Sequence, residues 1–362
     1  MNKQPANPQI RVLIVDDSAF MRTALSRIIA SDPSISIVGT ASTGIEALEM
    51  VPALNPDVIT LDVQMPGLDG LQTLTRIMAE FPRPVIMVSS LTMKDADTTF
   101  SALAAGAFDY VPKDLSSGSL SVLHLRNDLI AKVKAAAESR KARAALVIPR
   151  KPPGAIRRPA RDASLPAPAI VAIGISTGGP KALQDILPIL PEDIPVPILV
   201  VQHMPPGFTA PFAKRLNSLC AVSVCEASHG EAVQPGVVYI APAGTHMTIE
   251  RGSSRTVTCL SDKPENQLHV PSVDIMMQSV AGAFHSLAMG IIMTGMGSDG
   301  MQGMSAIHRK GGLTVGQDEL SCTVYGMPRA CAEMRILDRI VPLSEIPCEI
   351  LQATHYRRAS VS

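Results

Sequence analysis

Short apolar runs alternate with helical patterns twice along this chain, and that alternation limits its fold more than any other feature. RVLIVDD, SISIVGTA, PDVITLDV, PVIMVSS and FDYVPK fall between Arg11 and about Arg126, separated by segments such as AFMRTALSRIIAS and GIEALEMVPAL. A helix between two buried strands returns the chain to the same sheet edge, so the pattern predicts a doubly wound parallel sheet. The alternation resumes at Ala169 with IVAIGI, VPILVVQH, GVVYIAPA, HMTIER, AMGIIMTGM and LTVGQ, and runs to about Val341. There HMTIERGSSRTVTCLS reads as a hairpin, which points to a mixed sheet in the second half.

The 362 residues are ample for two domains. Between the two patterns, AKVKAAAESRKARAAL reads as an exposed helical extension, and VIPRKPPGAIRRPARDASLPAPA as an extended, semi-rigid tether. The expected division is a first domain over 1–128, a basic Pro/Arg/Ala-rich linker over 129–167, a second domain over 168–355 and a tail over 356–362. Lys+Arg and Asp+Glu balance at 32 each, and aromatics make up only 3% of residues, which argues against a nucleic-acid partner. All 6 cysteines lie in the second half without a C-x-x-C pair, so free, mostly buried thiols are expected. The N-terminus has no signal-peptide pattern, and no apolar run approaches the ~20 residues of a membrane helix. Together these features predict a cytoplasmic protein without membrane insertion.

In the first half, acids and partners recur at strand ends. Asp16 and Asp17 end the first run, Asp62 the third, Ser89 or Ser90 the fourth and Lys113 the fifth. A doubly wound sheet gathers these ends on one rim. Three converging carboxylates need a cation, and a hard, oxygen-seeking Mg²⁺ suits them. The set fits phosphoryl transfer to a carboxylate, with ammonium and hydroxyl groups receiving the phosphoryl oxygens. This half resembles the receiver domains of two-component signalling. The resemblance implies a flavodoxin-like fold, Asp62 as phosphoacceptor, and Mg²⁺ among Asp16, Asp17, Asp62 and the carbonyl of Gln64. It also implies Ser89 as the hydroxyl, Lys113 as the ammonium and Tyr110 as the aromatic switch. Two positions depart from the pattern: Lys113 is followed by Asp114 rather than proline, and Gln64 stands where relatives often carry Glu.

In the second half, GISTGGPK follows a buried run and precedes a helix start. It matches the G-x-S-x-G nucleophile elbow at Ser176, whereas a phosphate loop fails because Pro180 separates the last glycine from Lys181. A serine nucleophile needs a base and an acid that orients it. His203, at the end of VPILVVQH and before a proline-rich turn, is the leading base; a satisfied or surface histidine is the alternative. Asp299, in the glycine-dense MTGMGSDG, is the leading acid, and a capped tight turn is its alternative. Such a loop also exposes N–H groups suited to an oxyanion hole. Only His308 and His355 follow Asp299, so the order Ser, His, Asp differs from that of an α/β-hydrolase.

GISTGGPKAL, VVQHMPPGFT, GVVYIAPAGTHM, PSVDIMMQSVA, IIMTGMGSDG and VYGMPRA, in this order, resemble the catalytic domain of the chemotaxis protein-glutamate methylesterases. The resemblance implies a doubly wound α/β esterase domain with a mostly parallel sheet and an antiparallel hairpin. It implies Ser176, His203 and Asp299 as the catalytic triad, the Met296 N–H as oxyanion donor and Thr177 beside the nucleophile. Ile175 replaces the usual Ala, and Val270 stands where an arginine is common. The expected activity is a phosphorylation-activated serine esterase acting on glutamate methyl esters of chemoreceptor cytoplasmic domains, with glutamine deamidation alongside. A chemotaxis histidine kinase would supply the phosphoryl group; Mg²⁺ serves that step, and ester hydrolysis needs no cofactor. The rival readings are a binding-only response regulator with a dead hydrolase domain, and a DNA-binding regulator; no helix-turn-helix supports the latter.

Overall fold

A computed structural model describes residues 9–90, 93–113, 118–145, 166–253, 255–265 and 267–356. It divides into two compact units, residues 1–152 and 153–362. The first contains β1 (Ile10–Val15), α1 (Ala19–Ala30), β2 (Ile35–Ala41), α2 (Gly44–Leu54), β3 (Val58–Asp62), α3 (Gly70–Glu80), β4 (Val85–Ser89), α4 (Met93–Ala104), β5 (Asp109–Pro112) and α5 (Gly118–Ala145). Every strand pair is parallel, and the order β2-β1-β3-β4-β5 is the flavodoxin-like one. Polar residues at the helix starts explain where several helices begin: Ser18 and Thr43 cap α1 and α2, and Asp69 with Gln72 forms a capping box on α3.

Helix α5 carries on beyond the expected boundary at 128 and is not an exposed extension. Leu125, Leu129, Val133, Ala136 and Ala137 are buried at helical spacing, so one apolar stripe holds the helix to its unit. Polar anchors flank the stripe. Lys134 Nζ lies 2.6 Å from Asp32, and Arg140 donates to Asp57 and to the Pro56 carbonyl. Residues 147–165 of the tether, Asp114 and residues 357–362 of the expected tail lie outside the described residues.

The second unit contains β6 (Ile170–Ile175), α6 (Gly179–Ile186), β7 (Ile198–Gln202), α7 (Thr209–Leu219), β8 (Ser223–Glu226), β9 (Val237–Ile240), β10 (His246–Arg251), β11 (Thr256–Ser261), α8 (Val273–Phe284), β12 (Ala288–Ile292), α9 (Met301–Arg309), β13 (Leu313–Gln317), α10 (Met327–Glu333), β14 (Arg339–Val341) and α11 (Ile346–Ala353). Its large sheet has the order β14-β13-β12-β6-β7-β9-β8, with parallel pairing throughout the described strands. The hairpin is real, but β10 and β11 form a separate two-stranded sheet, which corrects the expected mixed one. The chain leaves β6 toward β7 and returns to its other flank as β12. The order therefore reverses around β6, where open α/β sheets bind ligands at their carboxyl ends.

All cysteines are free, as expected, yet only Cys331 is buried; Cys348 is exposed and the other four lie between. Among the described residues, no helix is long and apolar enough to cross a membrane.

Candidate active site

The reversal around β6 gathers three sequence-distant residues. Ser176 follows β6, His203 follows β7, and Asp299 lies in the loop between β12 and α9. His203 Nδ1 is 3.1 Å from Ser176 Oγ, and His203 Nε2 is 2.8 Å from Asp299 Oδ2. The chain of contacts expected from sequence is present. The turn that carries Ser176 is tight: Gly179 N–H donates to the Ser176 carbonyl at 2.8 Å, and Gly178 takes φ +77°. At Gly178 a side chain would also collide with the Thr323 hydroxyl, 2.4 Å from a built Cβ.

Burial alone would raise the Asp299 carboxyl, but hydrogen bonds outweigh it and hold the group well below its ordinary value near 3.8. Oδ2 accepts from His203 and the Val273 N–H; Oδ1 accepts from the Ser272 hydroxyl and the Asp274 N–H. The carboxylate thus sits on the N-terminus of α8, where free N–H groups and the helix dipole favour an anion. An ionised Asp299 can only accept, so His203 Nε2 carries the proton and Nδ1 offers its lone pair to Ser176.

Three further residues brace this centre, and motif reading had not singled them out. Ser272 caps α8 while donating to Asp299. Asp274 accepts from the Gly303 N–H of α9, whose own cap, Gly300, has no side chain to offer. His269 stacks on the His203 ring, with centroids 4.0 Å apart and planes inclined by 13°. The N-cap signature in PSVD was the one visible signal for Ser272. Met296 follows Gly295, whose N–H donates to the Val324 carbonyl; the Met296 N–H itself donates to no acceptor among the described residues. Thr177 is buried, and its carbonyl accepts from the Thr294 hydroxyl.

The first unit brings together its own predicted set. Carboxylate oxygens of Asp16, Asp17 and Asp62 lie within 4.8 Å of one another. Lys113 Nζ stands 2.9 Å from Asp16 and 2.7 Å from Asp62. Burial works against the Lys113 ammonium, but the two carboxylates outweigh it and raise its pKa. Burial pushes the Asp62 carboxyl up to about 6 despite Lys113, and the Asp16 charge adds to the rise. Three carboxylates facing one ammonium leave uncompensated negative charge, and the all-oxygen donor set fits Mg²⁺. Beside it opens a cleft of about 460 Å³ lined by Asp17, Gln64, Met65 and Asp69. The Gln64 N–H donates to Asp62 at 3.2 Å. The Ser89 hydroxyl is buried, donating to the Ser90 carbonyl and accepting from Thr99. Tyr110 is buried beneath Lys132, whose ammonium lies 5.4 Å from the ring centre and donates to the Tyr110 carbonyl.

Comparison with known proteins agrees with both halves. The family described as CheB methylesterase matches residues 171–350, and the response regulator receiver domain family matches residues 12–123. The chain is 44% identical to a protein-glutamate methylesterase/protein-glutamine glutaminase of Nitratidesulfovibrio vulgaris, with 96% of this chain and 100% of that protein covered. It is 45% identical to the protein of the same description from Pyrococcus horikoshii, covering 97% of this chain and 95% of that one. Among solved structures it is similar to the CheB methylesterase catalytic domain of Thermotoga maritima, with TM-score 0.50 and 38% identity, covering 52% of this chain and 99% of that one.

Proposed function

This chain belongs to the receiver-linked protein-glutamate methylesterases/protein-glutamine glutaminases, and from that membership we propose how its residues divide the work. Ser176 is the nucleophile, His203 the general base and acid, and Asp299 the group that fixes the histidine tautomer. The unbroken contact chain Ser176–His203–Asp299 carries this reading.

Ser176 Oγ attacks the ester carbonyl of a methylated glutamate while His203 Nδ1 takes its proton. The Met296 N–H, with the chain turn at Thr177, receives the oxyanion. The tetrahedral intermediate collapses, His203 returns the proton to the departing methoxide, and methanol leaves a glutamyl-Ser176 ester. Water, deprotonated by His203, then attacks that ester; the glutamate carboxylate leaves and Ser176 regains its proton. With a glutamine amide the same sequence releases ammonia. The substrates are chemoreceptor cytoplasmic domains, which places the enzyme in the cytoplasm. A chemotaxis histidine kinase acts on the receiver.

In the receiver, Asp62 is the phosphoacceptor. Asp16, Asp17, Asp62 and the Gln64 carbonyl would hold Mg²⁺, which neutralises the incoming phosphoryl charge when bound. Lys113 pairs with a phosphoryl oxygen. Ser89 donates its hydroxyl proton to the phosphoryl group in place of the Ser90 carbonyl. Tyr110 responds from the buried side of β5. The domain boundaries that follow from this division are a receiver through α5, a tether, and the esterase from β6 onward.

A fluorophosphonate reacts only with an activated serine. Mass spectrometry of the labelled full chain is expected to find the adduct on Ser176, with none in Ser176→Ala. Labelling elsewhere, or none on the wild type, contradicts the nucleophile assignment and favours a domain that acts by binding alone.

A further inference from the structure

We propose that Gln202 is a positioning residue that fixes the spacing between nucleophile and base through its side-chain amide. The inference rests on Ser176 and His203 having those roles. Gln202 is the last residue of β7 and pairs in register with Ile175, the last of β6. The His203 N–H makes the final backbone bond between these strands, to the Ile175 carbonyl at 3.2 Å. Beyond it the chains part, one into the turn before α6 and the other into the proline-rich loop. At this parting Gln202 Nε2 donates to the Ser176 carbonyl and to the His203 carbonyl, each at 3.0 Å. Both partners are carbonyls, so only the NH₂ end of the amide can face them. One side chain thereby ties the backbone of the nucleophile to that of the base.

The rest of the side chain explains why packing does not account for it. Gln202 is 2% exposed, and its Oε1 has no donor among the described residues. A buried acceptor without a donor destabilises a fold, and a methionine of similar length would avoid that penalty. Room for Oε1 comes from Gly179, where a Cβ would lie 1.9 Å from it. The side chain thus carries a buried acceptor without a donor, and its described polar bonds run to the two catalytic residues. Misplacing reacting groups by about 1 Å can cost on the order of 10²-fold in rate.

The test uses full-length Gln202→Met and Gln202→Glu at pH 8, with a fluorophosphonate as probe and methanol release from methylated receptor as the second readout. Both variants remove the amide donors, and an ionised Glu also sets its charge against two carbonyls. Labelling of Ser176 and kcat are expected to fall roughly 10- to 100-fold, with KM unchanged because Gln202 is buried beneath the site rather than exposed to an incoming substrate. The thermal midpoint of Gln202→Met should stay within a few degrees of the wild type, because relief of the donorless Oε1 offsets the two lost Nε2 bonds. Labelling within twofold of wild type in either folded variant would overturn the proposal. So would a Gln202→Met chain that is unfolded or clearly less stable, since that assigns the residue to folding. Failure of the wild type to label at Ser176, with Ser176→Ala as control, would instead refute the nucleophile reading beneath it.

Discussion

Asp299 shows how one side chain at this site does two jobs. Its four hydrogen bonds hold the carboxyl ionised and fix its direction, and one of them sets the His203 tautomer. Asn in its place would present an amide with one acceptor where four donors converge. Asp299→Asn should therefore lower methanol release on the order of 10²-fold or more, as loss of the correct tautomer does in serine triads. Stability carries the same signature. The folded carboxyl titrates below its ordinary value near 3.8, so its stabilising contribution is complete above about pH 5 and fades as pH falls further. Urea unfolding should show wild type and Asp299→Asn furthest apart at pH 7 and closer at pH 3; an unchanged gap would mean Asp299 is not held ionised by the fold. Ser176, His203 and Asp299 were legible in sequence because each stands just past an apolar run. Ser272 was legible only as a helix cap, and Asp274, His269 and Gln202 were not legible. They act through a helix end, a ring face or backbone carbonyls, contacts that exist only once β6, β7, α8 and the Asp299 loop lie together.

Among the elements, α8 is the one that holds Asp299 in place. Its cap Ser272 accepts from the Ile275 N–H and donates to Asp299, while its apolar face packs Val273, Met276, Met277 and Val280 into the core. Removing the hydroxyl should cost about 1 kcal/mol from the lost cap. It also frees one Asp299 oxygen from a bond that orients it. Ser272→Ala is thus expected to lower the unfolding free energy by that amount in urea titrations and to slow methanol release several-fold; full activity would mean the backbone N–H groups alone hold Asp299. The long buried strands could be read from sequence. Two edge strands could not: β8 is four residues with an exposed first position, and β14 is three residues with one buried. Short edges carry too little apolar period to register. The hairpin was legible as local pairing, but whether it joins the large sheet depends on distant contacts. Helix α5 reads as exposed in sequence because its lysines and arginines mask a stripe partly built from alanine.

At the scale of the whole chain, a receiver and an esterase centre share one polypeptide, and regulated catalysis requires chemistry at Asp62 to change the rate at Ser176. Membership of the family makes both activities legible from motifs. The coupling between them is not written in any single segment, because it is a free-energy difference between states of the full molecule. Couplings of this kind run about 1–3 kcal/mol, or roughly 5–150-fold in rate or affinity. The most direct measurement is methanol release from methylated receptor by the full-length chain, with and without acetyl phosphate and Mg²⁺. Wild type should release methanol faster with the phosphodonor, by a factor in that range. Asp62→Asn should show no such rise, and Ser176→Ala should release almost none under either condition. Methanol release by Ser176→Ala at the wild-type rate, or stimulation of Asp62→Asn equal to that of wild type, would contradict a Ser176 esterase governed by Asp62.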